Sequence, residues 1–365
     1  MKHKVNLLSV SGGKDSTAMI LYAIERGVEF ECCFADTGNE HEDVYEYLDY
    51  LQDKLGIKIQ VAKADFTRVI QGKREYIEKH WVKDLTAGRE GAWTRAMGKS
   101  SGEYPPKPDW EPEDKTDPVS VDGWLWMREV PGLTLEQAEE KVALALEILV
   151  PTGEPFLDMC IWKGRFPSPK ARFCTDELKT IPITQQIVLP IIRSGRKVRS
   201  WQGVRADESI RRSTYPMHER IDLGVWVYRP ILHLTAGEVF GLHHKHGIKP
   251  NPLYLKGMNR VGCMPCIMCR KSELSEISRR FPEVIARLKR WEELVSQASK
   301  QGSSTFFDVR PFADDKYNVH YTTEGIEAAV QWARTERGGR QFNLFTEMED
   351  IPACSSNYGL CESIQ

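Results

Sequence analysis

No stretch of the 365-residue chain approaches the roughly 20 consecutive apolar residues that a bilayer-spanning helix needs. The N-terminus runs almost directly into a strand pattern, without the regions that make up a secretory signal. The expected setting is therefore the cytoplasm, with no membrane partner. An excess of charge is missing as well: 50 Lys and Arg against 52 Asp and Glu leave a formal net charge of -2. The total thus gives no support for a chain that coats nucleic acid or acts as an acidic tail. Also absent are an internal repeat and the Gly-x-x-x-x-Gly-Lys-Ser/Thr spacing of a Walker-type phosphate loop. The nine cysteines, in a reducing compartment, read as free thiols, metal ligands or redox groups rather than structural disulfides.

What is present begins near the N-terminus. Val5-Asn6-Leu7-Leu8-Ser9-Val10 suits a buried strand, and Thr17 to Ile24 continues with helical spacing. Between them lies Ser11-Gly12-Gly13-Lys14-Asp15-Ser16-Thr17. Gly12 and Gly13 can turn successive amide N–H groups toward one anion at the positive end of the following helix. Lys14 adds a full charge, and Ser11, Ser16 and Thr17 offer hydroxyls to a phosphate or its metal ion. The stretch reads as strand, phosphate cradle and helix, and it resembles the PP-loop superfamily, whose Ser-Gly-Gly-Lys-Asp-Ser holds the phosphates of ATP. That resemblance implies cleavage of ATP between its α and β phosphates, with adenylation of an acceptor and release of pyrophosphate.

Glu29 to Ala35 reads as a second strand, followed by Asp36-Thr37-Gly38-Asn39-Glu40, a helix from about His41 to Leu55, and the run Ile57 to Val61. A β-α-β-α-β pattern implies a parallel sheet with its ligand at the C-terminal strand ends. Both loops lie there, so Asp36, Thr37 and Gly38 are expected near the base and ribose of the nucleotide. The alternative is that Asp36 and Asn39 cap the next helix. Residues 83–169 interrupt the alternation with a Pro-rich loop at 104–114 and a helix announced by Thr134 and Gln137 in capping-box spacing. The expected architecture is an α/β, Rossmann-like parallel sheet with a helical insertion and a mostly helical C-terminal region. A discontinuous nucleotide-binding domain takes residues 1–82 and 170–271, the insertion 83–169 serves as lid or acceptor-binding region, and the C-terminal region takes 272–365. A single long helix is expected from about Ser272 to Ser299, with Ile277, Phe281, Ile285, Leu288, Trp291 and Val295 as a core stripe.

Phe173-Cys174-Thr175 with Lys179, Gly203-x-Arg205 with Glu208-Ser209, Asn251-Pro252-Leu253-Tyr254, and Gly262-Cys263-x-x-Cys266 follow in order. Together with the loop they resemble the phosphoadenosine phosphosulfate (PAPS) reductase-like branch of the PP-loop superfamily, over about residues 4–70 and 171–275. That resemblance implies an adenine nucleotide alpha hydrolase-like fold. The sulfonucleotide reductases of this branch often carry a modified loop, and here the intact loop with Lys14 and Asp15 favours ATP with Mg²⁺. Other members activate DNA for phosphorothioation with a full PP-loop and an iron-sulfur cluster. This likeness implies sulfur transfer to a nucleic-acid acceptor, with a sulfur-donor protein such as a cysteine desulfurase. Between Ile161 and Arg220 there are 13 Lys and Arg against five Asp and Glu, which agrees with a polyanionic acceptor. Two other readings stay open: a PAPS reductase in which Cys361 attacks sulfur, and a nucleotide-sensing partner protein with a structural metal site.

Cys263-x-x-Cys266-x-x-Cys269 has a spacing suited to one metal centre, and the resemblance makes Cys174 the distant fourth ligand. Four thiolates fit a [4Fe-4S] cluster or Zn²⁺, and the resemblance favours iron-sulfur. The competing set joins Cys263 and Cys266 to Cys354 and Cys361 as a structural zinc site. Cys32, Cys33 and Cys160 read as buried bystanders, the first two on opposite faces of a strand. His243, His244 and His246 read as a solvated helix end rather than a metal site. Arg205, Arg211 and Arg212 are candidates to grip phosphate or sulfate, with ion pairing to Asp207 and Glu208 as the plainer alternative. Lys14, Asp15 and Arg205 are the candidate catalytic groups, joined by Cys361 in the reductase reading.

Overall fold

A computed structural model describes residues 4–95, 106–115, 119–127, 129–307, 325–336 and 341–342. The expected alternation opens the chain: β1 (Lys4–Val10), α1 (Lys14–Glu25), β2 (Glu31–Asp36), α2 (Glu42–Leu55), β3 (Ile59–Lys63) and α3 (Thr67–Ala87). A small antiparallel sheet follows, built from β4 (Ala92–Arg95), β5 (Ser120–Val121) and β6 (Trp124–Met127). Helices α4 (Leu135–Ile148) and α5 (Pro155–Lys163) precede a helical stretch, α6 (residues 173–193), in which α and π turns alternate. Then come β7 (Lys197–Gln202), β8 (His218–Arg220), β9 (Trp226–Tyr228), α7 (Ala236–Lys245), α8 (Lys271–Arg280), α9 (Pro282–Gln297) and α10 (Ile326–Arg334).

The main sheet has six strands in the order β3-β2-β1-β7-β9-β8. All neighbours run parallel except β8 and β9. The chain reverses its direction across the sheet between β1 and β7, the switch point at which ligands bind in such sheets. Leu8, Val10, Cys32 and Phe34 face α1 and α2, whereas Leu7, Val5 and Cys33 face the second half of α6. Cys32 and Cys33 therefore enter two different cores, as the strand alternation requires.

The insertion and the C-terminal helices share one core. Ile70, Ile77 and Trp81 of α3 pack with Ala138 and Val142 of α4, Phe156 of α5, Leu288 and Trp291 of α9, and Ile326 of α10. Helix α3 also continues past residue 82, where the sequence pattern places the end of the first nucleotide-binding segment. Thr134 and Gln137 do form the capping box of α4.

Two elements differ from expectation. The insertion is not purely helical: Asp122 and Gly123, with φ of 47° and 86°, turn β5 into β6, which is the left-handed pairing that tight hairpins require. The single helix over 272–299 is instead two, broken at Phe281 with φ -133° and ψ 61° before Pro282. Proline has no N–H to give and disfavours a helical residue before it. The apolar stripe is core packing as expected, but Ile277 and Phe281 enter the sheet core and Leu288, Trp291 and Val295 the helical core.

Candidate active site

The loop after β1 turns at Gly12, with φ of +70°, a conformation that costs glycine nothing and other residues strain. Its hydroxyls are spent on its own shape: Ser16 and Thr17 donate to the Gly13 carbonyl at 3.0 and 3.1 Å, and Ser11 N–H donates to Ser16 Oγ at 3.2 Å. Lys14 Nζ lies 2.9 Å from Asp15 Oδ2, and Arg205 Nε donates to the other oxygen of Asp15. Arg205, itself 4% exposed, also pairs with Asp207 at 2.6 Å. A Cβ on Gly203 would come within 3.0 Å of the Asp15 backbone. The ends of β1 and β7 are thus pressed together at the switch point.

A second layer holds the loop from behind. The Lys14 N–H donates to Tyr254 Oη at 2.9 Å, and His243 Nε2 donates to the Lys14 carbonyl at 2.9 Å. Asn251 Nδ2 donates to the Gly12 carbonyl at 3.3 Å. Burial lowers the pKa of His243, so its ring is neutral and its Nδ1 stands buried without a partner. His243 is accordingly a buried prop of the loop and not part of a solvated helix end. His246 instead bonds Glu25 at 2.9 Å.

Beside this lies the loop after β2. Asp36 Oδ1 accepts from Gly38 N–H at 3.0 Å and from Tyr45 Oη at 2.8 Å. Gly38 has φ +70°, and a Cβ there would meet Pro155 at 2.6 Å. Neither Asp36 nor Asn39 caps α2: His41 does, accepting from Asp43 N–H at 3.1 Å. Asn39 is buried and donates to the Pro265 carbonyl at 3.1 Å, while Met264 N–H donates to the Asn39 carbonyl at 2.7 Å. The Cys263 loop is therefore pinned onto the β2 edge.

Cys263 Sγ lies 3.7 Å from Glu40 Oε1 and 3.4 Å from Thr37 Oγ1. Burial pushes its thiol up to about 12, with Lys179 acting in the opposite direction. Lys179 is reached by solvent yet surrounded by Cys263, Glu40, Cys266 and Cys174, whose negative forms raise its pKa. It lines a cleft. Burial raises the pKa of Glu40, of Cys174 and of Cys269.

The four sequence-predicted ligands are brought to one neighbourhood, since Cys174, Cys266 and Cys269 pack against the same core and Cys266 acts on Cys263. Cys263 is committed to Glu40 and Thr37, Cys269 Sγ contacts the Arg270 carbonyl at 3.5 Å, and among the described residues no group of three or more His, Cys, Asp or Glu is arranged to hold a metal ion. The four sulfurs are neighbours all the same, since, besides burial, Cys266 raises the pKa of Cys174, of Cys263 and of Cys269.

The phosphoadenosine phosphosulfate reductase domain model matches residues 5–97 and 129–269, which hold every element described above at the switch point. The chain belongs to the PAPS reductase domain family. It is 47% identical to an uncharacterized 37.8 kDa protein of Escherichia phage 186, over 98% of this chain and 97% of that one. An uncharacterized protein of Methanocaldococcus jannaschii is 26% identical over 51% of this chain and 37% of its own length. A solved PAPS reductase from Candida auris, in a phosphate complex, aligns with 11% identity and a TM-score of 0.35 over 72% of this chain and 82% of that one.

Within this PAPS reductase family chain, Lys14, Asp15 and Arg205 meet, and the loop residues Ser11 to Thr17 stand beside Asp36, Thr37 and Gly38 at one sheet edge. Arg211 is exposed and Arg212 pairs with Glu208, so ion pairing claims Arg212 and part of Arg205. Cys354 and Cys361 lie outside the described residues. Sequence reasoning assigned no part to Asn251, Tyr254 or Glu40, although the first two stand inside a quoted motif. No helix among the described residues is long and apolar enough to cross a membrane.

Proposed function

We propose that the chain is an ATP-dependent PP-loop enzyme that adenylates an acceptor, releases pyrophosphate and supports sulfur transfer to nucleic acid. The observation that carries this reading is the framing of Lys14. Its peptide is held on one side by Tyr254 and on the other by His243, and its ammonium is held by Asp15, which Arg205 holds in turn. A cation fixed beside the N-terminus of α1 favours a site where negative charge develops on departing phosphates.

In that reaction an acceptor oxygen attacks the α phosphorus, the α–β bond breaks, and pyrophosphate leaves with the bond's electron pair. Lys14 and the amides of Gly12 and Gly13 carry the new charge, with Mg²⁺ arriving on the nucleotide. No protein nucleophile is required. Asp15 and Arg205 keep the lysine from collapsing onto other anions, and the loop after β2 offers Asp36 to the nucleoside. Sulfur would come from a donor protein such as a cysteine desulfurase.

Membership of the PAPS reductase family supports a second reading, reduction of PAPS to sulfite with Cys361 as nucleophile. Product analysis separates the two. ATP incubated with the protein and nucleic acid is expected to yield pyrophosphate and an adenylated acceptor, with AMP released once the sulfur donor is added. ADP as the product would overturn the adenylation reading, and sulfite formed from PAPS, lost in Cys361→Ser, would establish the second.

A further inference from the structure

Among the described residues, nothing covers one face of the main sheet at the end away from the phosphate loop. Its register aligns Lys4 and Asn6 of β1 with Lys197 and Arg199 of β7, then Arg199 with Trp226 and Trp201 with Tyr228 of β9. His218 and Arg220 of β8 stand opposite Tyr228 and Trp226. Alternation places all of these on one face. Higher up, the same face is covered by α1 through Leu8, Met19 and Ile20, but α1 ends at Glu25. Beyond it Lys4, Lys197, His218 and Arg220 are exposed, and Trp226 is 44% exposed.

Rings and cations interleave there. His218 stacks on Tyr228 at 4.6 Å with planes 5° apart, and the Arg199 guanidinium lies 4.8 Å from the Tyr228 centroid. At the border Arg26 lies 5.0 Å from the ring of Tyr22. Among the described residues no ion pair is made by Lys4, Lys197 or Arg220, and burial, then Arg199 and Lys197, lower the pKa of Lys4. No carboxylate pairs with Arg199 among the described residues, and its Nε is buried without an acceptor. The nearest strand carboxylates are spent elsewhere, Glu31 on Arg196 and Glu219 on Arg229, both from the opposite face. Glu25 is taken by Lys245 and His246.

We infer that this face is a platform for single-stranded nucleic acid, with bases stacking on Trp226 and on the His218–Tyr228 pair and phosphates lying along Lys4, Lys197, Arg199 and Arg220. Open ring faces suit unpaired bases, whereas a duplex hides its base faces and would use only the charges. An acidic peptide would likewise leave the rings unused. Strand β7 leads from Arg199 to Gly203 at the phosphate loop, about 13 Å away at strand rise. The inference stands without the adenylation reading, and it would supply the polyanionic acceptor that reading requires.

The test is fluorescence anisotropy of a labelled oligothymidylate of about 15 nucleotides titrated with the full chain at rising KCl. Binding is expected to weaken as salt rises. Combined Lys197→Glu and Arg199→Glu should weaken it more than tenfold, and Trp226→Ala about tenfold, the usual loss for one stacked base. Trp226→Phe should retain most of the affinity. Mg-ATP affinity, measured on the same proteins, should not change. Absence of oligothymidylate binding, or unchanged binding in these variants, would overturn the inference. So would equal binding of a duplex or of polyglutamate, or a parallel loss of Mg-ATP binding.

Discussion

The hydroxyl of Tyr254 accepts the backbone N–H of Lys14 at 2.9 Å across 240 residues of sequence. One N–H at the mouth of the phosphate loop is thereby satisfied by protein, and the loop is held in shape before any anion arrives. In Tyr254→Phe that buried donor has no acceptor, a loss of about 1–3 kcal/mol in comparable cases. The variant should unfold at lower urea concentration and bind Mg-ATP more weakly. Unchanged values of both would show that the loop needs no such prop.

Gly203 touches the backbone of Asp15 and Ser16 so closely that a methyl group would stand 3.0 Å from three backbone atoms. Because main chain cannot swing aside as a flexible side chain does, Gly203→Ala should push the ends of β1 and β7 apart. The expected result is a folded protein, by circular dichroism, whose Mg-ATP affinity drops at least about tenfold, the equivalent of 1.4 kcal/mol. Native affinity in this variant would place the nucleotide elsewhere.

Glu292 predicts a pH dependence. Its buried carboxyl accepts from Phe306 N–H and Ile326 N–H, both at 2.7 Å, and so ties α9 to both of these segments. Burial raises its pKa from 4.5 to about 7. The folded state therefore keeps a proton that the unfolded state has already lost, so this group's contribution falls as pH rises from about 4.5 to 7 and is flat above that. Urea midpoints measured across this range should fall more steeply for wild type than for Glu292→Gln. Parallel slopes would contradict the account.

Much of the fold was legible because short strands and amphipathic helices alternate from Val5 to Val61, and because Gly12, Gly13 and Lys14 together point to one chemistry. The props of the loop were not. Tyr254, His243 and Asn251 bond to backbone atoms, and such bonds leave no complementary side chain in the sequence to recognise. His243 misled for a related reason: beside His244 and His246 it looks like part of a polar helix end, and only the packing of α7 on α1 buries it. Two misses had signals in plain view. Pro282 marks the break in the long helix, and Asp122-Gly123 before Trp124-Leu125-Trp126 marks a hairpin. The cysteine spacing pointed to Cys263, Cys266 and Cys269 together, but gave no sign of Glu40 and Thr37 beside Cys263, because their approach depends on the register between two loops.

The central claim is that Lys14 and its loop hold the phosphates of ATP. Parallel calorimetric titrations of anaerobically purified protein with Mg-ATP and with PAPS test it most directly, in wild type and in Lys14→Ala. The account predicts that Mg-ATP binds more tightly than PAPS and that Lys14→Ala weakens Mg-ATP binding by roughly 10- to 100-fold, as expected for loss of one charge-assisted contact. Tighter binding of PAPS than of Mg-ATP, or Mg-ATP binding untouched by Lys14→Ala, would contradict it.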